Sequence, residues 1–454
     1  MPSTLWRGSC LSADMRHSIE AEKLGVAGSG AAQAISSCVH CGFCLSSCPT
    51  YLTLGEEMDS PRGRIVLMKE ALEGAIDLRS ARPYIDNCLS CLACETACPS
   101  GVAYRDLITP FRAYIDSECR RPFPERLLRS LLLGTVQSPS RLRLALRVTR
   151  LLRPLRPLLG DELQASIAAA LERLATAAQS TRQPVKGSSP TTQQGDGPPP
   201  AGRGRVGLLA GCAQQVLAPQ INRAAERVLA RNGIQAITPS EAGCCGALSL
   251  HAGALRQARV RARRNLDAFD EDLDAIVSTT AGCSSGMKEY PLLFAGDPDE
   301  ERARSFAGKV RDISALLTEI GLTAAPPSAS TPLRIACHDA CHLAHAQSLR
   351  VQPRALLRAI GNVTLVQPAE WELCCGSAGT YNLNKPRIAA QLGRRKAKRL
   401  LEASPDLIAT SNVGCMLQIE AHLRALGDTT PVLHAIEVLD RAYSGTLSPA
   451  GLDA

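Results

Sequence analysis

The sequence predicts a protein of mixed α+β and α/β class, in which a helical, cysteine-rich N-terminal domain precedes two duplicated α/β domains. Three observations carry this prediction: two cysteine runs with the same spacing, a repeated set of motifs in the second half, and short apolar segments that alternate with helix-period segments. A chain of 454 residues has room for roughly three domains. Its 19 cysteines are clustered, which in a large chain without a secretory signal indicates metal ligands kept reduced in the cytosol.

The N-terminal domain is predicted from the two cysteine runs. "SSCVHCGFCLSSCPT" begins at residue 36 and "DNCLSCLACETACPS" at residue 86. Their cysteines are Cys38, Cys41, Cys44 and Cys48, then Cys88, Cys91, Cys94 and Cys98, and each run ends in proline, Pro49 or Pro99. This spacing is that of bacterial ferredoxins, in which four thiolates hold one [4Fe–4S] cluster. We therefore predict a helical, two-[4Fe–4S] ferredoxin-type domain over residues 1–120. Structural zinc rarely uses so tight a run, and disulfides are disfavoured in the cytosol.

The fourth cysteine of each run is predicted to bind the other run's cluster, as it does in two-cluster ferredoxins. The first cluster then uses Cys38, Cys41, Cys44 and Cys98, and the second uses Cys88, Cys91, Cys94 and Cys48. Two neighbouring clusters make a path for single electrons.

A basic, leucine-rich segment follows and is predicted to be a helical connector over residues 121–183. Residues 120 to 156 include ten arginines and only one acidic residue, Glu125. Such a segment is either a solvated helical face or an amphipathic surface that meets anionic lipid or an acidic partner. Aromatic residues make up only 3% of the chain, so stacking platforms are scarce and no nucleic-acid partner is expected. A proline- and glycine-rich linker is predicted over residues 184–204.

The C-terminal part is internally repeated. "RVGLLAGC" matches "RIACHDAC", "EAGCCGA" matches "ELCCGSA", and "DAIVSTTAGC" matches "DLIATSNVGC", all at nearly the same offset. A near-constant offset across three matches indicates a duplication, with one domain over residues 205–325 and another over 326–454. Apolar runs alternating with helix-period segments imply parallel α/β units, whose sites lie at the strand ends where these cysteines stand.

Each repeat carries a lone cysteine, a Cys-Cys-Gly and a further cysteine. The eight cysteines are Cys212, Cys244, Cys245 and Cys283 in the first repeat, and Cys341, Cys374, Cys375 and Cys415 in the second. Four thiols of this kind bind a further cluster or a metal, perform thiol redox chemistry, or form an inert buried pair. His338, His342 and His345 crowd the second repeat and offer further ligands or proton carriers, although a lone histidine is usually structural.

The cellular location is predicted from two features that the sequence does not show, a signal peptide and a membrane-spanning segment. The first twenty residues contain no apolar core of a signal peptide, and no window approaches the roughly 18 apolar residues of a membrane span. We expect a cytoplasmic protein, either soluble or peripheral on the cytoplasmic face of the inner membrane.

These motifs together resemble a known family. "CVHCGFC", "DSPRGRI", "CLSCLACETACPSGV", "EAGCCGA", "CCGSAGTY" and "TSNVGC" are similar to the iron–sulfur subunit of bacterial glycolate oxidase (glycolate dehydrogenase). This family is part of a wider group that joins a two-cluster ferredoxin module to two CCG (cysteine-rich) domains. The group includes subunits of lactate-utilisation and anaerobic glycerol-phosphate dehydrogenase systems.

The resemblance implies an electron-transfer subunit that is not catalytic alone. Separate FAD-containing glycolate dehydrogenase subunits would oxidise glycolate to glyoxylate, and this chain would carry the electrons toward the membrane quinone. The alternatives are the equivalent subunit of a lactate or glycerol-3-phosphate complex, a thiol or heterodisulfide reductase, and a structural scaffold for a flavoprotein. CCG domains of heterodisulfide reductases end in C-x-x-C, whereas Gly286 and Gln418 stand at those positions here, which puts heterodisulfide chemistry in doubt.

Overall fold

The computed structural model describes residues 19–151 and 204–448. Residues 19–151 form only helices and turns. The α-helices are α1 (Gly28–Ser36), α2 (Pro49–Leu54), α3 (Pro61–Leu72), α4 (Leu78–Asn87), α5 (Ala93–Thr96), α6 (Tyr104–Glu118), α7 (Phe123–Val136) and α8 (Pro139–Leu151), and short 3-10 helices span Ala21–Ala27 and Glu57–Asp59. The predicted helical character of this domain is confirmed.

The helical domain packs around one apolar core beneath the two cysteine runs. Ile35, Met68, Leu72, Ile85 and Phe111 belong to this core and are almost fully buried. They come from α1, α3, α4 and α6, so four helices share a single apolar centre. Burial of each side chain contributes about 1.5–3 kcal/mol. The loops that carry the cysteines are thereby attached to a rigid base.

Proline and serine residues fix where two of these helices begin. Pro49, directly after the first cysteine run, takes the first position of α2. Ser60 caps α3, because its hydroxyl oxygen accepts a hydrogen bond from the Gly63 amide at 2.9 Å, and Pro61 follows at the first helical position. The proline after the first run is therefore a helix start.

The C-terminal part contains two four-stranded parallel sheets of the same design. The strands are β1 (Arg205–Leu209), β2 (Gln235–Ile237), β3 (Ala275–Ser278) and β4 (Val310–Asp312), then β5 (Leu333–His338), β6 (Val363–Val366), β7 (Leu407–Thr410) and β8 (Val432–His434). Their orders are β2-β1-β3-β4 and β6-β5-β7-β8. Each strand pair is parallel, so the carboxyl ends of all strands in a sheet lie at one edge.

Helices connect the strands in both repeats. In the first half they are α9 (Gln214–Leu217), α10 (Pro219–Arg231), α11 (Ala247–His251), α12 (Leu255–Ala268), α13 (Ala281–Lys288), α14 (Tyr290–Leu293), α15 (Glu300–Lys309) and α16 (Ile313–Ile320). In the second they are α17 (Cys341–Ala344), α18 (Val351–Arg358), α19 (Tyr381–Asn384), α20 (Pro386–Leu401), α21 (Val413–Ala425) and α22 (Ala435–Tyr443). The predicted fold class, including the duplication, is confirmed.

The two halves share one core. Val206 and Leu208 of the first sheet and Ile335 and Leu407 of the second belong to the same buried cluster. At its margin the His434 ring bonds the Thr279 carbonyl oxygen of the other half at 2.7 Å through Nε2. Since one apolar cluster spans both sheets, the halves are held against each other.

Several predictions fall on residues that the structure does not describe. These are residues 1–18, residues 152–183 of the basic connector, residues 184–203 of the linker, and residues 449–454 of the second α/β domain. The domain boundaries drawn from the sequence stay predictions. Among the described residues, no helix combines the length and the apolar character needed to span a bilayer.

Candidate iron–sulfur and cysteine-rich sites

The eight cysteines of the N-terminal runs line two small cavities, and each fourth cysteine lies with the other run. Cys38, Cys41, Cys44 and Cys98 line one cavity, the first ferredoxin-type site. Cys48, Cys88, Cys91 and Cys94 line the other, the second ferredoxin-type site. Cys94 also reaches the wall of the first cavity. This arrangement fits two [4Fe–4S] clusters, each with four thiolate ligands. Ligation by these residues stays a prediction.

The two cysteine loops repeat the same backbone conformation. His40 and Gly42 in the first loop have φ of 55° and 87°, and Ser90 and Leu92 at the matching positions have 52° and 62°. A non-glycine residue in this left-handed region costs about 1–2 kcal/mol. The first loop carries this cost only at His40, because Gly42 adopts the conformation freely, whereas the second loop carries it at both Ser90 and Leu92. The shared conformation turns each loop so that its first three cysteines converge. The Ser90 amide also donates to Cys88 Sγ at 3.4 Å.

The two ferredoxin-type sites differ in their exposure to solvent. Cys41 of the first site is exposed, and Val39 and Phe43 beside it are 67% and 66% exposed. In the second site Cys88 and Cys91 are buried. The first site therefore lies at the surface under an apolar rim, and the second lies inside the molecule.

The motif "DSPRGRI" supports both sites. Arg64, 1% exposed, donates to Asp59 Oδ1 at 3.0 Å and to Thr50 Oγ1 at 2.9 Å, and its Nη1 is 3.9 Å from Cys48 Sγ. Arg62 donates to the carbonyl oxygen of His40 at 3.0 Å and so fixes the first cysteine loop. The sequence identified this motif only as a family marker, and the structure gives it a physical role.

Two arginines place positive charge beside the second site. Burial alone would raise the pKa of the Cys88 thiol, but Arg64 and Arg112 hold it below its ordinary value. Burial raises the pKa of Cys91 and Cys94 well above the ordinary value. The site thus has one buried cation, Arg64, and one half-buried cation, Arg112, that stabilise negative charge on its sulfur atoms. Arg112 was missed by the sequence analysis, because nothing in its neighbourhood marks it.

The eight cysteines of the C-terminal repeats form two groups of four. In the first half, Cys244 lies close enough to Cys212 and Cys245 to shift the pKa of their thiols, and Cys283 likewise raises the pKa of Cys245. In the second half the Sγ atoms of Cys341 and Cys374 are 3.9 Å apart, and Cys375 raises the pKa of Cys374 as Cys415 raises that of Cys375. Both predicted sets are therefore brought together in space.

The glycine of each Cys-Cys-Gly has a left-handed backbone conformation and lies close to a helix. Gly246 and Gly376 have φ of 81° and 86°. A Cβ at Gly376 would lie 2.7 Å from the carbonyl oxygen of Ala389, and one at Gly246 would lie 3.2 Å from that of Ala258. The left-handed backbone angle favours glycine at both positions, and at Gly376 the close approach also leaves no room for a side chain.

Both groups of four face one cavity of about 450 Å³ between the two halves and the helical domain. All eight cysteines line it, and so does Cys88 of the second ferredoxin-type site. The second half makes the closer contact with that site, because Leu89 and Cys91 share a buried cluster with Cys374. Tyr381 stabilises this contact, because its hydroxyl group donates a hydrogen bond to the Asn87 carbonyl oxygen at 2.9 Å.

Gly286 and Gln418 stand where the CCG domains of heterodisulfide reductases have a fifth cysteine, and both lie in tightly packed surroundings. A Cβ at Gly286 would lie 2.4 Å from the Cβ of Ala247, so the first half has no room for a cysteine there. Gln418 is buried and donates to the carbonyl oxygen of Ala389 at 3.1 Å. Each half therefore keeps four cysteines.

The three histidines of the second half have different environments. His345 bonds Thr96 Oγ1 at 3.0 Å and donates through Nε2 to the Glu372 carbonyl oxygen at 3.0 Å, so it is structural. His342 bonds Ser285 Oγ at 3.1 Å and stacks on His251, with ring centroids 4.9 Å apart. His338 is buried, and within the part of the chain that the structure describes its Nε2 atom has no hydrogen-bond partner.

Comparison with known proteins agrees with this geometry. Residues 34–102 match the family model of the 4Fe-4S dicluster domain, and residues 206–288 and 335–420 match the cysteine-rich domain CCG. The glycolate oxidase iron-sulfur subunit of Escherichia coli (strain K12) is 37% identical over 90% of this chain and 94% of its own length. The probable glycolate oxidase iron-sulfur subunit of Bacillus subtilis (strain 168) is 31% identical over 86% and 89%. Lactate utilization protein A of Oceanobacillus iheyensis is 25% identical over 54% of this chain and all of its own length.

Proposed function

The chain belongs to the family of glycolate oxidase iron–sulfur subunits, and from this premise we propose that it is the electron-transfer subunit of a glycolate dehydrogenase complex. A partner flavoprotein oxidises glycolate, and this chain takes the electrons singly and passes them toward the membrane quinone. A bound [4Fe–4S] cluster supplies one-electron redox chemistry. The residues of this chain would hold both clusters, shield the second one from water and balance its charge.

One observation carries the proposal: the cysteine sites follow one another from the surface to the interior. The first ferredoxin-type site has the exposed Cys41, the second is buried, and Cys91 of the second site shares a cluster with Cys374 of the second half. Short steps between neighbouring sites are what single-electron transfer requires. We infer that electrons enter at the first site, where the exposed Val39 and Phe43 form an apolar rim suited to a protein partner.

The alternative of a thiol or heterodisulfide reductase has less support. Such a site needs its fifth cysteine, and Gly286 and Gln418 occupy those positions in tightly packed surroundings. The relay subunit therefore remains the better account of the two groups of four cysteines.

We further propose that the protein docks on the cytoplasmic face of the membrane through α7 and α8. Phe123, Leu127 and Leu131 lie one turn apart on α7 and are 47–66% exposed. On α8, Leu144 and Val148 are exposed. Exposed arginines, among them Arg126, Arg141, Arg143 and Arg147, accompany this apolar face. An apolar stripe with a basic flank suits an anionic bilayer surface, to which a quinone acceptor is confined.

Reconstitution with the partner flavoprotein tests the relay. We expect Cys91→Ser to abolish electron flow from glycolate to a quinone analogue, while glycolate still reduces the flavin of the partner. Cys119→Ala is the matched control, because Cys119 is also buried but lies outside both ferredoxin-type sites. Undiminished flow through the Cys91→Ser complex would refute the proposal.

A further inference from the structure

The second cysteine-rich half has a possible metal ligand that the first half lacks. His338 is the last residue of β5, three residues before Cys341, and Leu209 is the last residue of β1, three residues before Cys212. Leu209 packs against Cys245 in an apolar cluster. At the matching place in the second half, a ring nitrogen of His338 lies within 4.8 Å of the Sγ atoms of Cys375 and Cys415.

The environment of His338 leaves its imidazole available to a ligand. The side chain is 6% exposed, and Nε2 has no hydrogen-bond partner among the described residues. A buried polar atom without a partner costs about 1–3 kcal/mol. The first half avoids this cost with leucine, so the second half retains a destabilising group at the place where two thiols converge. A bound metal would remove the cost by accepting the nitrogen lone pair.

Neighbouring groups suit a thiolate-bound metal. The Asn412 side-chain amide donates to Cys415 Sγ at 3.3 Å, as outer partners of metal-bound sulfur commonly do. Lys396 is 3% exposed and donates to the Glu370 carbonyl oxygen at 2.6 Å. Its positive charge interacts with Cys374 and Cys375. A cation therefore already lies beside the sulfur atoms that would become thiolates when a metal binds.

We propose that the second cysteine-rich half binds a transition-metal centre through Cys375, Cys415 and a ring nitrogen of His338. Thiolate and imidazole together suit zinc or the iron of a cluster. The nitrogen ligand takes the place of the fifth cysteine that this half lacks, and the first half has no counterpart to it. This inference goes beyond the proposed function, since metal binding here does not depend on which donor reduces the protein.

Whether the second cysteine-rich half can carry electrons depends on which metal it binds. With iron, the second half would be a further redox site in the electron-transfer path. A histidine ligand raises the reduction potential of a cluster above that of an all-cysteine site. Zinc has no redox chemistry, so electrons would then leave the chain from a ferredoxin-type site.

The test uses the full chain, purified without oxygen after growth with ¹⁵N-labelled histidine. Metal content is measured, and nitrogen ligation is read from zinc-edge X-ray absorption and from pulsed electron paramagnetic resonance of the reduced protein. We expect a nitrogen ligand in the wild-type protein and its loss in His338→Leu, which copies the residue of the first half. His338→Cys should keep the metal and lose the nitrogen signal.

The matched control is His251→Gln, because His251 lines the cavity that Cys375 and Cys415 also line but is not among the three converging ligands. It should leave the nitrogen signal unchanged. A wild-type protein without a nitrogen ligand would overturn the inference, and so would a signal that survives in His338→Leu. Because the readout is spectroscopic, either result is separable from failure of the relay, which is measured as electron flow.

Discussion

Buried charge is the main residue-scale cost of the second ferredoxin-type site. Four thiolates around one cluster bring negative charge into a domain whose core is apolar. The positive charge of Arg64 offsets this negative charge. Arg64 is itself held in place by hydrogen bonds to Asp59 and Thr50. A cation that is removed from water needs such partners, because an unpaired buried charge costs several kcal/mol.

Removing one partner of this buried pair should destabilise the helical domain. We expect Arg64→Met to lower the free energy of unfolding by about 3–5 kcal/mol, which corresponds to a fall of roughly 10 °C in the unfolding midpoint. Lys69→Met is the control, since Lys69 on the same helix pairs with Glu73 one turn away, and such helix pairs contribute about 0.3–0.5 kcal/mol. Thermal unfolding of both anaerobically purified variants measures the difference, and equal losses would contradict the role assigned to Arg64.

The crossing of the fourth cysteines is testable residue by residue. Cys98 lies in the cavity of the first site, so Cys98→Ser should remove the same spectroscopic signal as Cys38→Ser. Cys48 lies in the second cavity, so Cys48→Ser should match Cys88→Ser. Electron paramagnetic resonance of the reduced variants makes both comparisons. A Cys98→Ser spectrum that matches Cys88→Ser would mean that each run binds its own cluster.

At the scale of single elements, the strands and the cysteine loops can be predicted from the sequence. The side chains that hold the loops in place cannot. The alternation of "RVGLLA" and "DAIVST" with helical segments is encoded locally, so the parallel sheets followed from pattern alone. The role of Arg64 depends on which distant loop it meets, and no local pattern encodes that. The same holds for His338, whose significance appears only when β5 is compared with β1.

The α7–α8 surface yields an element-scale prediction. We expect the triple variant Arg141→Gln, Arg143→Gln and Arg147→Gln to lose most of its binding to anionic vesicles, because each arginine near the surface contributes about 1 kcal/mol. Arg150, also expected to contribute, has no described side chain. Vesicle flotation at moderate salt measures the binding.

A charge-matched control separates lipid docking from loss of net charge. Arg387, Arg394 and Lys398 are exposed on α20, and their triple replacement by glutamine removes the same charge elsewhere. This control should float with the vesicles like the wild-type protein. If both triple variants bind equally well, α7 and α8 present only a solvated face.

At the scale of the whole molecule, the order of the sites could not be read from the sequence. The spacing predicted two clusters and two groups of four cysteines. It did not predict that the second half, through Cys374 and Tyr381, would meet the second ferredoxin-type site. That contact is made by residues almost three hundred positions apart, which only the folded chain brings together.

Metal stoichiometry is the first prediction for the whole molecule. Two ferredoxin-type sites hold about eight irons per chain, and filled cysteine-rich sites would raise the iron content toward twelve or more. Iron and zinc analysis of anaerobically purified protein measures both contents. An iron content near zero with stoichiometric zinc would exclude the two-cluster domain.

The isolated chain should not oxidise glycolate. Removal of hydride from a hydroxy acid is the work of a flavin or a nicotinamide, since the cofactor carries the hard chemistry. A [4Fe–4S] cluster accepts single electrons and offers no place for a hydride, and the sequence contains no credible fingerprint for either organic cofactor. We therefore expect the purified protein to show no turnover of glycolate with any acceptor dye. Addition of the flavoprotein subunit should start electron flow to quinone, and turnover by the flavin-free chain would make the relay assignment wrong.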